Sequence, residues 1–289
     1  DQLEQRGAAE GRAQSAELIQ SEMGQTSGEK SGRCLLYCLR HGETNWNREG
    51  RIQGQLDQPL NDTGRQQVRM SAQQLKKEYD PLPFDVCYTS PLLRCSESAE
   101  ILVEGLGMPA SAIRRDDALK EWNAGKMQGH LLSELANLFP AEWHAWRIHR
   151  DPDHEMAGGE SFRQRYVRVV GAVERIAAAH PDEDILIMTH GGVLDDLFRK
   201  ATNMGMFAPS NCPKINAAVH LIQLTPSGRP EDPFEWTILK WGNVDLDKLP
   251  KPAMAGTEHH LPSFVAREGA QTVTVTEGGG AGVQGIEYA

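Results

Sequence analysis

The tripeptide Arg40-His41-Gly42 is the part of the sequence most able to carry out chemistry. It follows an apolar run, Cys34 to Leu39, that has the length of a buried strand. An arginine guanidinium is a planar fork that matches phosphate oxygens, and a neutral histidine beside it can attack phosphorus as a nucleophile. The glycine lets the backbone pass close to a bound group. The tripeptide therefore indicates phosphate chemistry, although taken alone it also fits a histidine packed in a core.

Three further segments favour phosphate chemistry because they also place reactive side chains where strands would end. The run Ile185 to Thr189 leads directly into His190, which two glycines follow. The run Phe84 to Tyr88 is followed within a few residues by Arg94, and Glu121 stands in a glycine-containing loop as a candidate proton donor. Ligands of parallel sheets collect at the carboxyl ends of the strands. We therefore expect these side chains to share one pocket.

Each of these side chains also has a less specific interpretation. His190 could serve only to cap the helix that follows it, and Glu121 could be a solvated loop acid. Other carboxylates could lie nearby, namely Glu43, Glu97 and Glu160. The tryptophans that follow Glu121 are predicted to be packing residues rather than a substrate platform: Trp122, Trp143 and Trp146. A five-residue spacing does not suit metal ligation from a helix, so no metal site is predicted at His144, His149 and His154.

A scaffold of alternating strands and helices would bring the segments together. Strands are predicted at the short apolar runs Cys34 to Leu39, Phe84 to Tyr88, Ile185 to Thr189, Ala217 to Leu224 and Trp236 to Trp241. Helices are predicted at Asp62 to Tyr79, Pro91 to Leu106, Leu132 to Phe139, Ser161 to Ala179 and Gly192 to Thr202. This order predicts an α/β fold of three layers, α/β/α, with a mostly parallel central sheet.

Composition separates a central domain from two polar ends. Residues 1–33 and 250–289 are predicted to be flexible tails, and residues 34–249 a single catalytic domain. The net charge of -10 argues against binding nucleic acid or a membrane surface, and no apolar run is long enough to span a bilayer. The five cysteines form no C-x-x-C pair, which predicts thiols in a reducing, cytoplasmic setting. An organelle remains an alternative if a presequence preceded Asp1.

From about residue 34 to residue 247 the chain resembles the histidine phosphatase superfamily, also called phosphoglycerate-mutase-like, and within it the phosphatase branch. The family signature stands here as Arg40-His41-Gly42. The resemblance implies that His41 is the nucleophile that becomes phosphohistidine and that Glu121 protonates the leaving oxygen. It implies phosphate-binding side chains at Arg40, Asn47, Arg94 and His190, and substrate contacts at the pocket mouth from Gln53 and Gly54. Neither a cofactor nor a metal is expected.

The charges expected in the pocket distinguish the two histidines. The positive field of Arg40 and Arg94 disfavours protonation of His41 and keeps its lone pair available. His190 is expected to be a cationic donor to the phosphoryl group, so the two rings are predicted to differ in charge. Glu121 is expected to be protonated when an alkoxide leaves and ionised when it activates water.

Hydrolysis is favoured over phosphoryl transfer to a second acceptor, because family mutases carry a longer insertion in the interval from Glu121 to His190. The segment Trp236 to Val244 is similar to that of metal-independent phosphoserine phosphatases, which makes phosphoserine the first substrate candidate among small phosphorylated metabolites. The alternatives are a bisphosphoglycerate-dependent phosphoglycerate mutase, and a non-catalytic member that binds phosphorylated ligands or acts as a scaffold. A homodimer is left open.

Two features are expected to shape the pocket beyond the phosphate ligands. Residues 126–157, with Arg147, His149 and Arg150, are where we expect specificity to reside. Cys95 and Ser98 stand where the family pattern usually has Ala and Thr, which predicts a changed pocket wall with unchanged phosphate ligands.

Overall fold

The computed structural model of the chain describes residues 31–209 and 212–242. The predicted tails, residues 1–33 and 250–289, lie outside this range apart from residues 31–33. The described strands are β1 (Cys34–Arg40), β2 (Phe84–Thr89), β3 (Ile113–Arg115), β4 (Asp184–Thr189), β5 (Val219–Arg229) and β6 (Asp232–Trp241). They form one sheet in the order β3-β2-β4-β1-β5-β6. The pairs among β1 to β4 are parallel, whereas β5 and β6 are added antiparallel at one edge.

Helices cover the sheet on both sides, so the predicted α/β/α arrangement is confirmed. The described α-helices are α1 (Asn45–Glu49), α2 (Asp62–Glu78), α3 (Leu93–Leu106), α4 (Leu135–Leu138), α5 (Pro140–Trp143), α6 (Phe162–Ala179) and α7 (Gly191–Ala201). A π-helical turn, His144–His149, follows α5. Within the described residues, none of these helices combines the length and apolarity that a membrane crossing needs.

The continuous apolar run of β1 is explained by burial on both faces of the sheet. Leu36 and Cys38 pack into the cluster beneath α6 and α7, while Leu35, Tyr37 and Leu39 pack into the cluster beneath α2 and α3. Alternate side chains of a strand point to opposite faces, so a strand at the centre of a covered sheet is apolar at every position. All five cysteines are buried thiols, four of them on the strands β1 and β2 or on α3.

Several predicted elements differ from the structure in ways that have physical causes. β5 begins at Val219 rather than Ala217, because Ala217 adopts φ 58° in a turn. The predicted helix Leu132 to Phe139 is divided into a 3-10 turn, Leu132–Glu134, and the short α4. Strand β3 was missed because its three residues, Ile-Arg-Arg, carry no apolar run. These segments are shaped by contacts with the rest of the molecule rather than by periodicity.

Candidate active site

The candidate site lies where the parallel strands end side by side. Arg40, the last residue of β1, pairs with Thr189, the last residue of β4, so that His41 and His190 leave neighbouring strands together. The backbone N–H of His41 donates to the Thr189 carbonyl at 2.8 Å. The two imidazole rings lie with centroids 5.4 Å apart. The repeated strand-histidine-glycine pattern therefore places two histidines at one site, as the sequence predicted.

His41 is held in the tautomer that a nucleophile requires. Its Nδ1 lies 2.7 Å from the Gly42 carbonyl, which can only accept a hydrogen bond, so Nδ1 carries the proton and Nε2 has the lone pair. The Asn216 amide donates to the His41 carbonyl at 2.8 Å. A Cβ on Gly42 would lie 2.4 Å from the Gly64 carbonyl oxygen, so this turn needs glycine. The His41 ring is thus held by a backbone carbonyl, and the His41 carbonyl is held by the Asn216 side chain.

Arg40, which is half-buried, and Arg94, which is fully buried, bring two guanidiniums to the histidines. Nη1 of Arg40 donates to the Lys214 carbonyl at 2.6 Å. The Nη atoms of Arg94 donate to the carbonyls of Leu56 and Gly54 at 3.0 and 2.7 Å. Among the described residues, the Nε atoms of both arginines are buried without a hydrogen-bond partner. Two unpaired cationic donors beside a histidine pair are what a site for an oxyanion provides.

His190 is the N-cap residue of α7, yet its side chain makes no capping hydrogen bond. Instead its Nε2 lies 2.8 Å from the Ser90 hydroxyl and 3.4 Å from the Cys95 thiol. The ring is fully buried. His190 therefore faces the pocket, and the interpretation that it only caps a helix is wrong. Cys95, which stands where the family pattern usually has Ala, therefore contacts a side chain of the site.

The two histidines do not differ in charge as the sequence predicted. Burial, followed by the positive fields of Arg94 and Arg40, lowers the pKa of His41 well below its usual value. Burial and Arg94 lower the pKa of His190 in the same direction, with further contributions from His41 and Arg40. Both rings are therefore neutral near pH 7. The prediction was wrong because both rings are buried to the same extent beside the same arginines.

Glu121 lies at the N-terminus of α7, close to the turn that carries His190. Its Oε2 accepts from the Gly192 N–H at 3.0 Å, and its Oε1 accepts from the Trp122 N–H at 2.7 Å. Backbone N–H groups at a helix N-terminus favour a negative charge. Glu121 also interacts electrostatically with Arg40 and Arg94, which places its carboxylate in the same charged environment as the histidines.

The other carboxylates that the sequence left open have structural partners of their own. Glu97 pairs with Arg65 at 2.7 Å, and Glu160 pairs with Arg168 at 2.6 Å. Glu43 accepts from the Asn61 amide at 2.6 Å. These contacts hold loops and helices in place, and they leave Glu121 as the carboxylate best placed for proton transfer.

The remaining predicted residues lie in α1 and in the loop that follows it. Asn47 completes a capping box at the start of α1, with its Oδ1 accepting from the Thr44 backbone N–H at 3.1 Å. Gln53 is buried, and its Oε1 has no partner among the described residues. Gly54 has φ 53° and supplies the carbonyl that receives Arg94. The roles of Asn47, Gln53 and Gly54 in substrate binding remain predictions.

Sequence reasoning missed several side chains that hold these groups. Ser90 and Asn216 contact the histidines, but a serine or an asparagine in a loop carries no distinctive signal. Gln55 donates to the Glu121 carbonyl at 3.0 Å, and its own N–H donates to Gln128 at 2.7 Å. The glutamines near position 53 were noticed only through the family resemblance. Arg165 was missed because a charged residue on a helix usually faces solvent.

Residues 126–157 form a layer of short helices around a small aromatic core. Trp122 stacks on Phe162 with ring centroids 4.6 Å apart, and Trp143 and Trp146 pack against the same cluster. The packing interpretation of the tryptophans is confirmed. Arg147 lies over the Trp146 ring at 4.1 Å, whereas His149 and Arg150 are exposed. In residues 31–209 and 212–242, no three His, Cys, Asp or Glu side chains are grouped to hold a metal ion.

Comparisons with known proteins agree with this geometry. The profile described as "Histidine phosphatase superfamily (branch 1)" matches residues 36–237. Over 206 residues, 71% of this chain, the sequence is 36% identical to the Arabidopsis thaliana protein named phosphoglycerate mutase-like protein 4, of which 84% is covered. It is 34% identical, over 71% of this chain and 80% of the relative, to the Arabidopsis thaliana protein named metal-independent phosphoserine phosphatase.

A solved structure has the same fold. The structure of YhfR from Bacillus stearothermophilus superposes with a TM-score of 0.61 and 30% sequence identity, covering 73% of this chain and 98% of that one. The family match covers well over half of the chain and includes both histidines, both arginines and Glu121. The chain therefore belongs to the histidine phosphatase superfamily, and it is a phosphatase of that family.

Proposed function

We propose that the protein hydrolyses a small phosphomonoester metabolite, with phosphoserine as the first candidate, through a phosphohistidine formed on His41. The observation that carries this proposal is the pair of unpartnered, buried Nε atoms of Arg40 and Arg94 beside His41. A buried donor without a partner costs free energy. Phosphoryl oxygens would satisfy both donors, which favours an anionic substrate over a neutral one.

The first half-reaction transfers the phosphoryl group to the protein. Nε2 of His41 forms a bond to phosphorus as the bond from phosphorus to the ester oxygen breaks, and Glu121 gives its proton to that oxygen. Charge spread over the phosphoryl oxygens is stabilised by the preorganised donors of Arg40 and Arg94, with Asn47 and His190 as further ligands. The lowered pKa of His41 supports this role, because a neutral ring has the lone pair that attack requires.

The second half-reaction returns the protein to its starting state. Water adds to phosphorus as the bond to His41 Nε2 breaks, and the proton of the water goes to the carboxylate of Glu121. One carboxyl group thus serves as acid and then as base. Its contacts with two backbone N–H groups support the second role, because they hold the ionised oxygens in place to accept the proton of water.

The choice of phosphoserine is supported by the relatives. Besides the Arabidopsis protein, a Hydrogenobacter thermophilus relative named phosphoserine phosphatase 1 is 31% identical over 54% of this chain. A Cronobacter sakazakii relative, 29% identical over 76% of this chain, is named probable phosphoglycerate mutase GpmB, so mutase activity is the alternative to be tested. Gln53 and Gly54 would lie at the mouth through which either substrate enters.

Phosphate release in the presence of EDTA tests the proposal. The panel contains phosphoserine, 3-phosphoglycerate, a sugar phosphate and an aryl phosphate, and wild type is compared with His41→Ala and with His144→Ala, which removes an exposed histidine. We expect release from phosphoserine by wild type and His144→Ala, and none by His41→Ala. Absence of release from every ester would exclude hydrolysis, and conversion of 3-phosphoglycerate with a bisphosphoglycerate primer would then establish the mutase. Binding without turnover would establish the non-catalytic role.

A further inference from the structure

Arg165 and Asp196 form a buried ion pair between α6 and α7. The Nε and Nη2 atoms of Arg165 donate to the two carboxylate oxygens of Asp196 at 2.7 and 2.8 Å. Arg165 is 4% exposed and Asp196 is 0% exposed. Removing two charges from water costs several kcal/mol, and well-packed apolar side chains often replace such a pair without loss of stability. Packing of the two helices therefore does not by itself account for this pair.

The remaining nitrogen of the guanidinium points to the start of α7, where Glu121 lies. A Cβ placed on Gly192 would lie 2.8 Å from Arg165 Nη1 and 2.2 Å from Glu121 Oε1, so the two side chains approach the same point from opposite sides. Arg165 and Glu121 interact electrostatically. Both groups can reach this point only because residue 192 has no side chain.

Other charged and titratable groups also act on Glu121. They come from β1, α3 and α7, and they are Arg40, Arg94, Cys95 and Asp196. Arg40 and Arg94 have Nε atoms available to substrate oxygens, and the Cys95 thiol contacts His190. Arg165 differs from these groups because its Nε and Nη2 are committed to Asp196 and its Nη1 faces the proton donor. Its charge is therefore directed at Glu121 rather than at the phosphoryl group.

We propose that Arg165 and Asp196 are positioning residues for the proton transfers of Glu121. The cation of Arg165 attracts the carboxylate toward the start of α7 and orients it there. Asp196 holds the guanidinium in place through its two hydrogen bonds. This inference rests on the proposed role of Glu121 as acid and base. The ion pair thereby keeps one carboxyl group in place for both half-reactions.

Leaving-group dependence measures this effect apart from phosphate binding. An alkyl phosphate needs a proton on its leaving oxygen, whereas an aryl phosphate with a nitrophenol leaving group does not. The ratio of kcat/KM for the two esters therefore reports proton donation, and contributions shared by both esters cancel. The ratio at one fixed pH is the quantity to compare among variants.

Arg165→Met and Arg165→Lys form a matched pair, because the two side chains have similar length and only lysine carries a charge. We expect Arg165→Met to lower the ratio about tenfold, since a misplaced acid loses part of the roughly 100-fold or larger contribution that a positioned acid makes. Arg165→Lys should restore most of the wild-type ratio. Asp196→Asn, which weakens the hold on the guanidinium, should lower the ratio less than Arg165→Met does.

Three results would overturn the inference, and one of them also identifies a failure of the proposed function. The inference is wrong if Arg165→Met and Arg165→Lys both keep the wild-type rates and the wild-type ratio. Equal losses toward both esters in these two variants would show that the pair acts on folding alone. Glu121→Gln is the control for the acid itself. If it hydrolyses the alkyl ester as wild type does, the role of Glu121 fails, and the inference fails with it.

Discussion

The contact between Gly192 and Glu121 allows one substitution to test the geometry of proton transfer. In Gly192→Ala, the new methyl group would lie 2.2 Å from Glu121 Oε1, closer than any real side chain approaches. The carboxylate would have to withdraw by about 1 Å to reach an ordinary contact distance. The Glu121 Oε2 to Gly192 N–H hydrogen bond, now 3.0 Å, would be lost or lengthened. The helix should tolerate the change, because alanine has a higher helix propensity than glycine.

The size of the effect follows from the displacement. Misplacing a catalytic group by 1 Å can cost about 100-fold in rate. We therefore expect Gly192→Ala to reduce kcat/KM for an alkyl phosphate by about 100-fold, or about 2.7 kcal/mol of transition-state stabilisation. The loss for a nitrophenyl ester should be much smaller, since its leaving group needs no proton. The thermal midpoint should remain within a few degrees of that of wild type.

The matched control is Gly171→Ala in α6, where a Cβ would meet no atom within 4 Å. This variant should keep full activity toward both esters and gain about 0.5–1 kcal/mol of stability. Steady-state kinetics with both esters and a thermal denaturation scan are the measurements. If Gly192→Ala hydrolyses the alkyl ester within twofold of wild type, the placement of Glu121 over α7 is refuted. Equal losses toward both esters would locate the damage in phosphate binding instead.

Three further predictions concern phosphate binding and stability. Arg94→Lys should weaken inhibition by inorganic phosphate about tenfold or more, because the single ammonium nitrogen of lysine cannot span the positions of the three guanidinium nitrogens that reach two loop carbonyls and a phosphate. Unchanged inhibition would contradict this. Burial lowers the pKa of His220 to about 3, whereas its value in the unfolded chain is 6.5. The contribution of this residue to the free energy of unfolding is therefore complete above pH 6.5 and is lost as the pH falls toward 3. Between pH 6.5 and pH 5 this residue alone should lower the free energy of unfolding by about 2 kcal/mol. Denaturant titrations of His220→Leu should therefore show a smaller decrease in the free energy of unfolding over this pH range. Leu36→Ala, at a fully buried position of β1, should lower the free energy of unfolding by about 2–5 kcal/mol, and an unchanged denaturation midpoint would contradict the assigned core.

The features that could be predicted from the sequence are those in which a short pattern determines the structure. β1 is buried on both faces, so its residues are apolar throughout and its end could be located at Arg40. The same pattern before His190 located the second histidine. The regular apolar face of α6 predicted the ends of that helix to within one residue. Because parallel neighbours end at the same edge of a sheet, the pairing of β1 with β4 then brings the two strand ends together.

The features that could not be predicted depend on contacts between distant segments. The neutral state of His190 follows from burial beside Arg94 and His41, which no local pattern reveals. Arg165 lies in a sequence rich in arginines, and only the packing of α6 on α7 determines that this arginine is buried. The π-helical turn after α5 and the three-residue β3 are likewise fixed by tertiary packing. Sequence patterns locate strand ends, but they do not give the electrostatic environment of the groups placed there.

The burial of the five cysteines has a practical consequence for measuring the motions of the protein. Burial raises the pKa of Cys34 and Cys87 to about 12, and the thiols of Cys38 and Cys95 are shifted in the same direction. Only a thiolate reacts rapidly with disulfide reagents. The four thiols on β1, β2 and α3 should therefore be nearly inert to such a reagent in the native protein, and in a Cys212→Ser background colour should develop only as the sheet opens. The rate of labelling in buffer without denaturant would then report how often the centre of the sheet is exposed to solvent.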